Sequence, residues 1–445
     1  MVTTTAATET PGSSRYAWYL VAVLILAYTF SYIDRSILTL MVGPIRADLD
    51  ISDVQLSLLH GFAFAIFYTF VGIPIGRLVD RGRRTAIVAG GITLWSIATA
   101  LCGFAGSFGQ MFAARIGVGV GEAALSPAAY SMLADQFEGK RLVRALSMYQ
   151  SAIYLGPAIA TLFGGVLLGQ LSPVDTALGH FEPWQLVFLI VGLPGLAVAL
   201  LVATLREPAR RAAGPTDAAP SFGDVLRHMK RDRGAYGLLI LGLCFQSVMW
   251  NGAAAWIPTH FIRAYGWTTS QVAWGYGPAI AICGTAGGLS GGWLAGWMRD
   301  RGHSDSNIRI GVIAALLALP FGVAAPLMPT AEWSLALLCG FLFAGAMPYG
   351  GAAAAFQEIT PNRMRGQVSA VYLFWLNLAG IGLGSTLVAL VTQNIYGGDA
   401  MISRAIATVV GICAALSALT LLLARKFYRV AMARTAAGRG PGRPG

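Results

Sequence analysis

Charged residues are scarce in this chain of 445 residues, because Asp, Glu, Lys and Arg together make up only 11% of it. A soluble globular domain carries roughly 25% charged residues. Hydrophobic residues make up 56% of the chain, and its mean hydropathy is +0.64. This composition excludes a soluble globular protein, so the length is no guide to a number of soluble domains.

Residue patterns typical of metal and nucleotide sites are also missing. The five cysteines form no Cys-x-x-Cys pair and all fall in apolar stretches, where a small packing residue is the expected role. No HxxxH, HExxH or clustered carboxylates occur. The glycine-rich runs lie inside apolar stretches, which argues against a phosphate-binding loop. We therefore expect no disulfide, no metal ion and no enzyme active site.

Apolar stretches long enough to cross a membrane are abundant, and each crossing takes about 20 residues. Twelve are predicted, at residues 17–41, 54–79, 86–107, 110–134, 145–169, 184–205, 235–261, 270–298, 308–328, 333–357, 367–394 and 402–424. The sequence therefore predicts an all-α membrane protein with twelve transmembrane helices.

Lys and Arg are distributed unevenly between the two sides of these spans. If the N-terminus is cytoplasmic, 26 of the 31 basic residues lie inside, and only Arg46, Arg263 and Arg404 lie in outer loops. Basic residues concentrate in cytoplasmic loops, so both termini are expected in the cytoplasm of a bacterial inner membrane. The net charge of +11 then reflects this asymmetry and attraction to anionic lipid, and we expect no nucleic-acid partner.

The longest polar segment has six predicted spans on either side. This predicts two six-helix bundles. The expected division is an N-terminal tail 1–16, a first bundle 17–205, a linker 206–233, a second bundle 234–426 and a basic tail 427–445.

The two halves share an internal repeat. "GRLVDRG" at 76–82 and "GWMRDRG" at 296–302 both read G-x-x-x-D-R-G, and they are 220 residues apart. A weaker repeat relates "RALSMY" from Arg144 to "RGQVSAVY" from Arg365. The glycine allows close helix approach, and paired repeats of this kind predict two pseudo-symmetric bundles with a site between them.

The twelve-span layout and the twin loops resemble the major facilitator superfamily over about residues 17–425. The first loop departs from that pattern by one missing residue before Gly82. The resemblance implies the major facilitator fold, transport by alternating access, and loops that gate the cytoplasmic side. The residues expected to gate are Gly76, Asp80, Arg81, Arg144, Asp300, Arg301 and Arg365.

Several segments further resemble the spinster-like branch of that superfamily. They are "YIDRSIL" at 32–38, "ISDVQLSLLHGFAFAIFY" at 51–68, "ARIGVGVGEAALSPAAYSMLADQF" at 114–137 and "WIPTHF" at 256–261. The resemblance implies an amphiphilic lipid as substrate and a proton gradient as the energy source, without a bound cofactor.

Four charged residues lie well within the spans: Asp34, Arg35, Arg115 and Glu122. Each charge costs about 2.5–3.5 kcal/mol at the centre of a lone membrane helix. The four are therefore expected to face one another or a cavity. Arginine keeps its proton, so Glu122 and Asp34 are the candidates for proton coupling, and Arg35 and Arg115 are the candidates for binding an anionic group.

Polar and aromatic residues of other spans are expected to complete the cavity. The candidates are Tyr68, Tyr154, Gln246, Trp250, Asn251, Tyr349, Trp375 and Asn377. Packing or helix–helix hydrogen bonding is the alternative role for each of them.

The sequence thus predicts a secondary active transporter, acting as a monomer, that moves an amphiphilic anion and protons across the lipid bilayer. A proton-linked carrier of small organic or aromatic carboxylates is the alternative within transport. A membrane-integral enzyme and a non-transporting sensor are further alternatives. The absence of a catalytic residue pattern argues against the enzyme, and the absence of a visible additional domain argues against the sensor.

Overall fold

The computed structural model describes residues 13–177, 179–210 and 221–437. Residues 1–12 of the predicted N-terminal tail, the middle of the linker and the last residues of the basic tail therefore lie outside the described residues. Helices dominate the described part. The strands found there form one short antiparallel hairpin of β1 Val174–Thr176 and β2 Gly179–Phe181, with Val174 opposite Phe181.

Ten α-helices form the first half of the chain up to the linker. They are α1 Ser13–Ser36, α2 Val42–Leu49, α3 Asp53–Ser57, α4 Ala63–Arg81, α5 Arg84–Cys102, α6 Phe108–Glu122, α7 Leu125–Gln136, α8 Gly139–Gln150, α9 Ala152–Gln170 and α10 Pro183–Ala203.

Ten more α-helices follow from the end of the linker onward. They are α11 Phe222–Arg231, α12 Arg233–Tyr265, α13 Thr269–Ala279, α14 Thr285–Asp300, α15 Ser306–Ala324, α16 Ala331–Ala346, α17 Tyr349–Glu358, α18 Arg365–Asn377, α19 Gly384–Leu390 and α20 Ile402–Ala437.

Tighter or wider turns join several helices into longer ones. The π-helical turns are Leu58–Phe62, Ile280–Gly284, Leu378–Leu383 and Val391–Ile395, and the 3₁₀ turns are Ile37–Leu40, Ala325–Leu327, Asn362–Met364 and Asp399–Met401.

Ten continuous helical segments within the described residues are long and apolar enough to cross a membrane. The other two predicted spans, 110–134 and 270–298, are also helical but differ in character. The first is interrupted after Glu122, where Pro127 supplies no N–H to the helical ladder. The second carries eight glycines between residues 275 and 296, which lower its hydropathy.

Helix α20 extends further than the apolar pattern predicts. The last span was expected to end at residue 424, yet the helix continues to Ala437. Beyond the span it contacts the ends of other helices in its own half: Arg425 and Arg429 bond to Asp305, and Arg434 bonds to Asp232, at 2.8 Å each. We call this extension, residues 425–437, the C-terminal clasp.

We name the two ends of the molecule by their loops. The hairpin end carries β1 and β2, and the linker end carries the segment between α10 and α11. Toward the hairpin end one buried apolar cluster contains residues of both halves, including Leu59 and Trp256. Toward the linker end each half has its own cluster, with Trp95 in the first and Tyr428 in the second. The two halves are thus packed together mainly toward the hairpin end.

Candidate functional site

A buried ion pair lies between α1 and α6. The Arg35 guanidinium donates to the Glu122 carboxylate through Nε, at 2.6 Å, and its Nη2 lies 2.5 Å from the same oxygen, Oε2. The Ser31 hydroxyl donates to this oxygen as well, at 2.6 Å. The other carboxylate oxygen of Glu122 has no hydrogen-bond partner among the described residues. The Glu122 side chain is fully buried, whereas that of Arg35 is 15% exposed.

Three aromatic rings surround the Arg35 guanidinium. Its central carbon lies 5.0 Å from the ring centre of Tyr32, 4.5 Å from that of Phe64 and 5.0 Å from that of Tyr68. A guanidinium over an aromatic face is attracted by the ring's negative quadrupole. The sequence predicted Tyr68 as a residue that lines the cavity, without its contact with Arg35, and it missed Tyr32 and Phe64. Helical spacing could have indicated both, because Tyr32 is three residues before Arg35 and Phe64 is four before Tyr68.

Asp34 and Arg115 form a second buried pair of groups, closer to the hairpin end. Thr99 donates its hydroxyl to the Asp34 carboxylate at 3.1 Å, and the other oxygen of that carboxylate has no partner among the described residues. Arg115 donates to main-chain oxygens, those of Asp34 at 3.3 Å and Leu59 at 3.4 Å. Arg115 is completely buried. In this conformation Arg115, predicted to bind an anionic group, does not line an open cavity, because the two halves are packed together above it.

The other predicted cavity residues fall into two groups. Gln246 donates to the Gly311 carbonyl at 2.7 Å, and Asn251 donates to the Ser247 carbonyl of its own helix at 2.9 Å. These two amides thus serve helix–helix packing and a local helix bond, the alternative roles that the sequence left open.

Aromatic candidates of the second half lie closer to open space. Trp250 and Tyr349 meet edge to face with ring centres 6.2 Å apart. Tyr349 is 43% exposed and Trp375 is 49% exposed, whereas Asn377 is partly buried. Large exposed rings within a membrane protein either face lipid or line a cavity, so these residues remain candidates for contact with an apolar substrate.

Tyr154 lies in the contact between the halves. Its ring packs against α14 and the π-turn before it, where a Cβ on Gly284 would come within 2.7 Å of the Tyr154 ring and a Cβ on Gly288 within 3.1 Å of its hydroxyl. The two glycines therefore provide the space that the ring of the other half occupies. The sequence placed Tyr154 in the cavity and did not predict this inter-half contact.

A cluster of four charged residues joins the halves at the hairpin end. Asp53 of the first half accepts from Arg263 of the second at 2.7 and 2.9 Å, and it lies 2.9 Å from Arg46. Arg46 also donates to Asp399 of the second half at 2.5 Å. We call Arg46, Asp53, Arg263 and Asp399 the hairpin-end cluster. The sequence analysis missed it, although Arg46 and Arg263 stood out as two of three basic residues in the predicted outer loops.

Carboxylates at the linker end form ion pairs with arginines of their own half. Arg84 pairs with Asp135 and with Glu207, the latter at 2.7 Å. Asp305 lies within 2.8 Å of Arg309 and of two arginines of the C-terminal clasp. Burial alone would raise the pKa of the Asp305 carboxyl, but the hydrogen bonds from these arginines hold that pKa below its usual range.

Three of the predicted gating residues at the linker end make side-chain contacts within their own half, and the other four are exposed or partly exposed. Arg144 lies over the Trp18 ring at 5.7 Å, Arg301 lies over the Trp297 ring at 3.6 Å, and Arg365 donates to the Gln357 carbonyl at 3.1 Å. The remaining members are partly or fully exposed: Gly76, Asp80, Arg81 and Asp300.

Comparisons with known proteins agree with the fold. Residues 24–385 match the family model of the Major Facilitator Superfamily. An MFS-type efflux pump of Mycolicibacterium smegmatis is 30% identical over 421 residues, which cover 93% of this chain and 94% of that protein. A probable L-galactonate transporter of Escherichia coli is 25% identical, over 79% of this chain and 78% of that protein.

A solved structure is also similar over nearly the whole length. It is a bacterial homolog of the human lysosomal transporter Spinster in an inward-facing, unoccupied conformation. The two chains are 27% identical with a TM-score of 0.75, over 97% of this chain and 100% of that one.

Proposed function

The chain belongs to the major facilitator superfamily, and from that premise we propose that this membrane-integral transporter is a proton-coupled carrier of an amphiphilic, lipid-like anion. It moves its substrate by alternating access and uses a proton gradient, without a bound cofactor. The observation that carries the proposal is the buried pair of Arg35 and Glu122, with the Arg35 guanidinium surrounded by the rings of Tyr32, Phe64 and Tyr68, which we call the aromatic box.

Glu122 is the group that exchanges the proton. Arginine stays protonated, so only the carboxylate of the pair can change its charge. When Glu122 takes up a proton, Arg35 loses its counter-charge and becomes free to hold an anionic group. When Glu122 releases the proton, the internal pair forms again and displaces that anion. The Glu122 carboxylate and the substrate anion thus compete for one guanidinium, and binding of a proton to Glu122 favours binding of the substrate.

The surroundings of Arg35 favour an amphiphile. A phosphate or carboxylate matches the planar fork of the guanidinium, and Tyr32, Phe64 and Tyr68 offer apolar surface directly beside it. Arg35 is partly exposed whereas Glu122 is not, so an incoming anion meets the cation first. A substrate with a charged head and an apolar body satisfies both features.

Asp34 and Arg115 act in a supporting role in this scheme. Asp34 is a second buried carboxylate with one unbonded oxygen. Arg115 is enclosed by the closed hairpin end and becomes available to an anion only when the halves separate there. We assign to it the capture of substrate in the alternate conformation.

A small organic acid is the second candidate substrate. The relative from Escherichia coli named as an L-galactonate transporter supports it, because a sugar acid would also place a carboxylate on Arg35. The aromatic box distinguishes the two classes, since a hydrophilic sugar acid gains little from three rings.

Transport assays in proteoliposomes test both the coupling and the substrate class. We expect the wild type to take up a fluorescent lysophospholipid faster when a pH gradient is imposed. Glu122→Gln should bind the lipid but lose the response to the gradient, and Arg35→Ala should lose binding. The matched control is Glu332→Gln, which changes an exposed carboxylate in the first turn of α16.

Two outcomes would contradict the proposal. Uptake by Glu122→Gln that still responds to the gradient would remove Glu122 from coupling. Uptake of galactonate without uptake of lysophospholipid would favour the small-acid carrier.

The linker end is proposed to face the cytoplasm, as the distribution of basic residues predicts. A cysteine at Val174 of the hairpin should then react with a membrane-impermeant maleimide in intact cells, and a cysteine at Arg81 should not. Both positions are exposed. The opposite labelling pattern would reverse the orientation.

A further inference from the structure

Helix α11 is a separate short helix at the point where the chain enters the second half. It begins with its own capping box, in which the Ser221 hydroxyl accepts from the Asp224 amide and the Asp224 carboxylate accepts from the Ser221 amide, at 3.2 Å each. It ends at Arg231, and the long apolar helix α12 starts at Arg233. At 1.5 Å of rise per residue, α11 lies within a few ångströms of the start of that membrane-spanning helix.

One side of α11 is attached to the second half. Val225 is fully buried in the apolar cluster there, and Met229 packs against the same cluster. His228 lies 3.1 Å from the Tyr236 hydroxyl. These contacts fix the orientation of the helix, so its other residues present a defined surface.

The free surface of α11 combines apolar and basic side chains. Phe222 and Leu226, one turn apart, are 57% and 39% exposed. Arg227, Lys230 and Arg231 are exposed beside them. Two acidic residues lie in this segment: Asp224 bonds to Ser221 and pairs with Arg227, and buried Asp232 pairs with both Arg231 and Arg434. Basic residues outnumber these two acids, so the net charge at this surface is positive.

We propose that α11 is a docking site for anionic phospholipid in the leaflet at the linker end. Phe222 and Leu226 insert at the boundary between headgroups and acyl chains, and the three basic side chains contact lipid phosphates. Amphipathic helices with a basic polar face bind membrane surfaces in this manner, and each basic residue near an anionic surface strengthens binding about fivefold. The positive surface charge and the position beside the start of α12 single out anionic lipid as the occupant.

The test uses the full-length protein with a nitroxide at a cysteine replacing Leu226, in a background without the native cysteines. The protein is reconstituted in vesicles of phosphatidylcholine alone, or of equal parts phosphatidylcholine and phosphatidylglycerol. Lipid-soluble oxygen and a water-soluble nickel complex report the environment of the nitroxide. In the anionic vesicles we expect greater oxygen accessibility and lower nickel accessibility than in the neutral ones.

Charge variants separate lipid docking from simple burial. Replacing Arg227, Lys230 and Arg231 by Gln should abolish the difference between the two vesicle compositions. The matched control replaces three exposed basic residues of the first half at the same end by Gln: Arg77, Arg83 and Arg141. This control should keep the full response.

Three results would overturn the proposal. They are equal accessibility in both vesicle compositions, protection from both reagents, which would mean packing against protein, and an equal loss of response in the control variant. The measurement involves no transport, so its outcome is independent of the proposed substrate and coupling.

Discussion

Substitution of Asp53 by Asn should shift the balance between the two conformations of the transporter. Asp53 is fully buried and accepts three contacts of 2.7 to 2.9 Å from Arg46 and Arg263. The two contacts with Arg263 join the halves and exist only while the hairpin end is closed, whereas the contact with Arg46 lies within the first half. In the conformation open at that end, Asp53 and Arg263 are separated and solvated instead. The variant therefore destabilises one conformation selectively.

The size of the shift follows from the burial of the partners. Breaking a fully buried ion pair costs about 3–5 kcal/mol. Arg46 and Arg263 are 25% and 18% exposed, and Asp399 remains 2.5 Å from Arg46 and 4.0 Å from Arg263. We therefore expect a loss of about 2 kcal/mol for the closed hairpin end. A difference of 1.4 kcal/mol is tenfold, so the equilibrium should move about 30-fold toward the conformation open at the hairpin end.

Distances between two nitroxide labels at the hairpin end measure this equilibrium. Cysteines at Ala47 in α2 and Thr330 before α16 place one label on each half at exposed positions. Pulsed electron–electron double resonance of the wild type should give mainly the short distance between the labels that is expected for the closed hairpin end. Asp53→Asn should add a population with a longer distance. Asp175→Asn is the control, because that exposed carboxylate pairs with His180 in the same half.

A second variant tests whether the cluster acts as one unit. Arg263→Gln removes the same contact from the other side, so the double variant should shift the equilibrium by less than the sum of the two single shifts. A distance distribution for Asp53→Asn identical to that of the wild type would refute the reasoning. Strictly additive shifts would show that Asp53 and Arg263 act separately.

Three further outcomes are expected. Arg35→Lys should bind the anionic substrate more weakly than the wild type in an equilibrium binding assay, because lysine lacks the planar fork; equal affinity would mean that a point charge suffices. Gly284→Val should lengthen the distance between the labels at positions 47 and 330, because the new Cβ would lie 2.7 Å from the Tyr154 ring. An unchanged distance would show that the contact between the two halves tolerates the side chain. Asp305→Asn should lower the melting temperature at pH 7 by several degrees. The difference should shrink as the pH falls below the ordinary pKa of aspartate toward the lowered pKa of Asp305 in the folded state, because the stabilisation requires the charged carboxylate; a constant difference would exclude the carboxylate charge as its cause.

Residue patterns with a local cause could be predicted from the sequence. The lengths of the apolar stretches predicted the membrane-spanning helices, and the repeated G-x-x-x-D-R-G loops indicated the two related halves. The scarcity of charge in the spans also drew attention to Arg35 and Glu122, and the structure places these two side chains in contact. Their roles in transport remain predictions.

Features that depend on tertiary contact could not be predicted in the same way. The hairpin-end cluster joins residues as distant in sequence as Arg46 and Asp399, and nothing near either residue specifies its partner. The continuation of α20 to Ala437 involves contacts with carboxylates at the ends of other helices, so the end of the apolar stretch at 424 did not indicate how far the helix itself extends. The buried position of Arg115 reflects which end of the molecule is closed, a property of the conformation and not of the local sequence.

The C-terminal clasp has a mechanical consequence. Through Arg425 and Arg429 it is fastened to Asp305 at the start of α15, through Tyr428 to Glu358 at the end of α17, and through Arg434 to Asp232 before α12. The clasp thus connects the linker ends of α12, α15 and α17 to one another. We therefore expect the second half to move as a rigid body, so that a displacement at the hairpin end also moves the linker end of the same half.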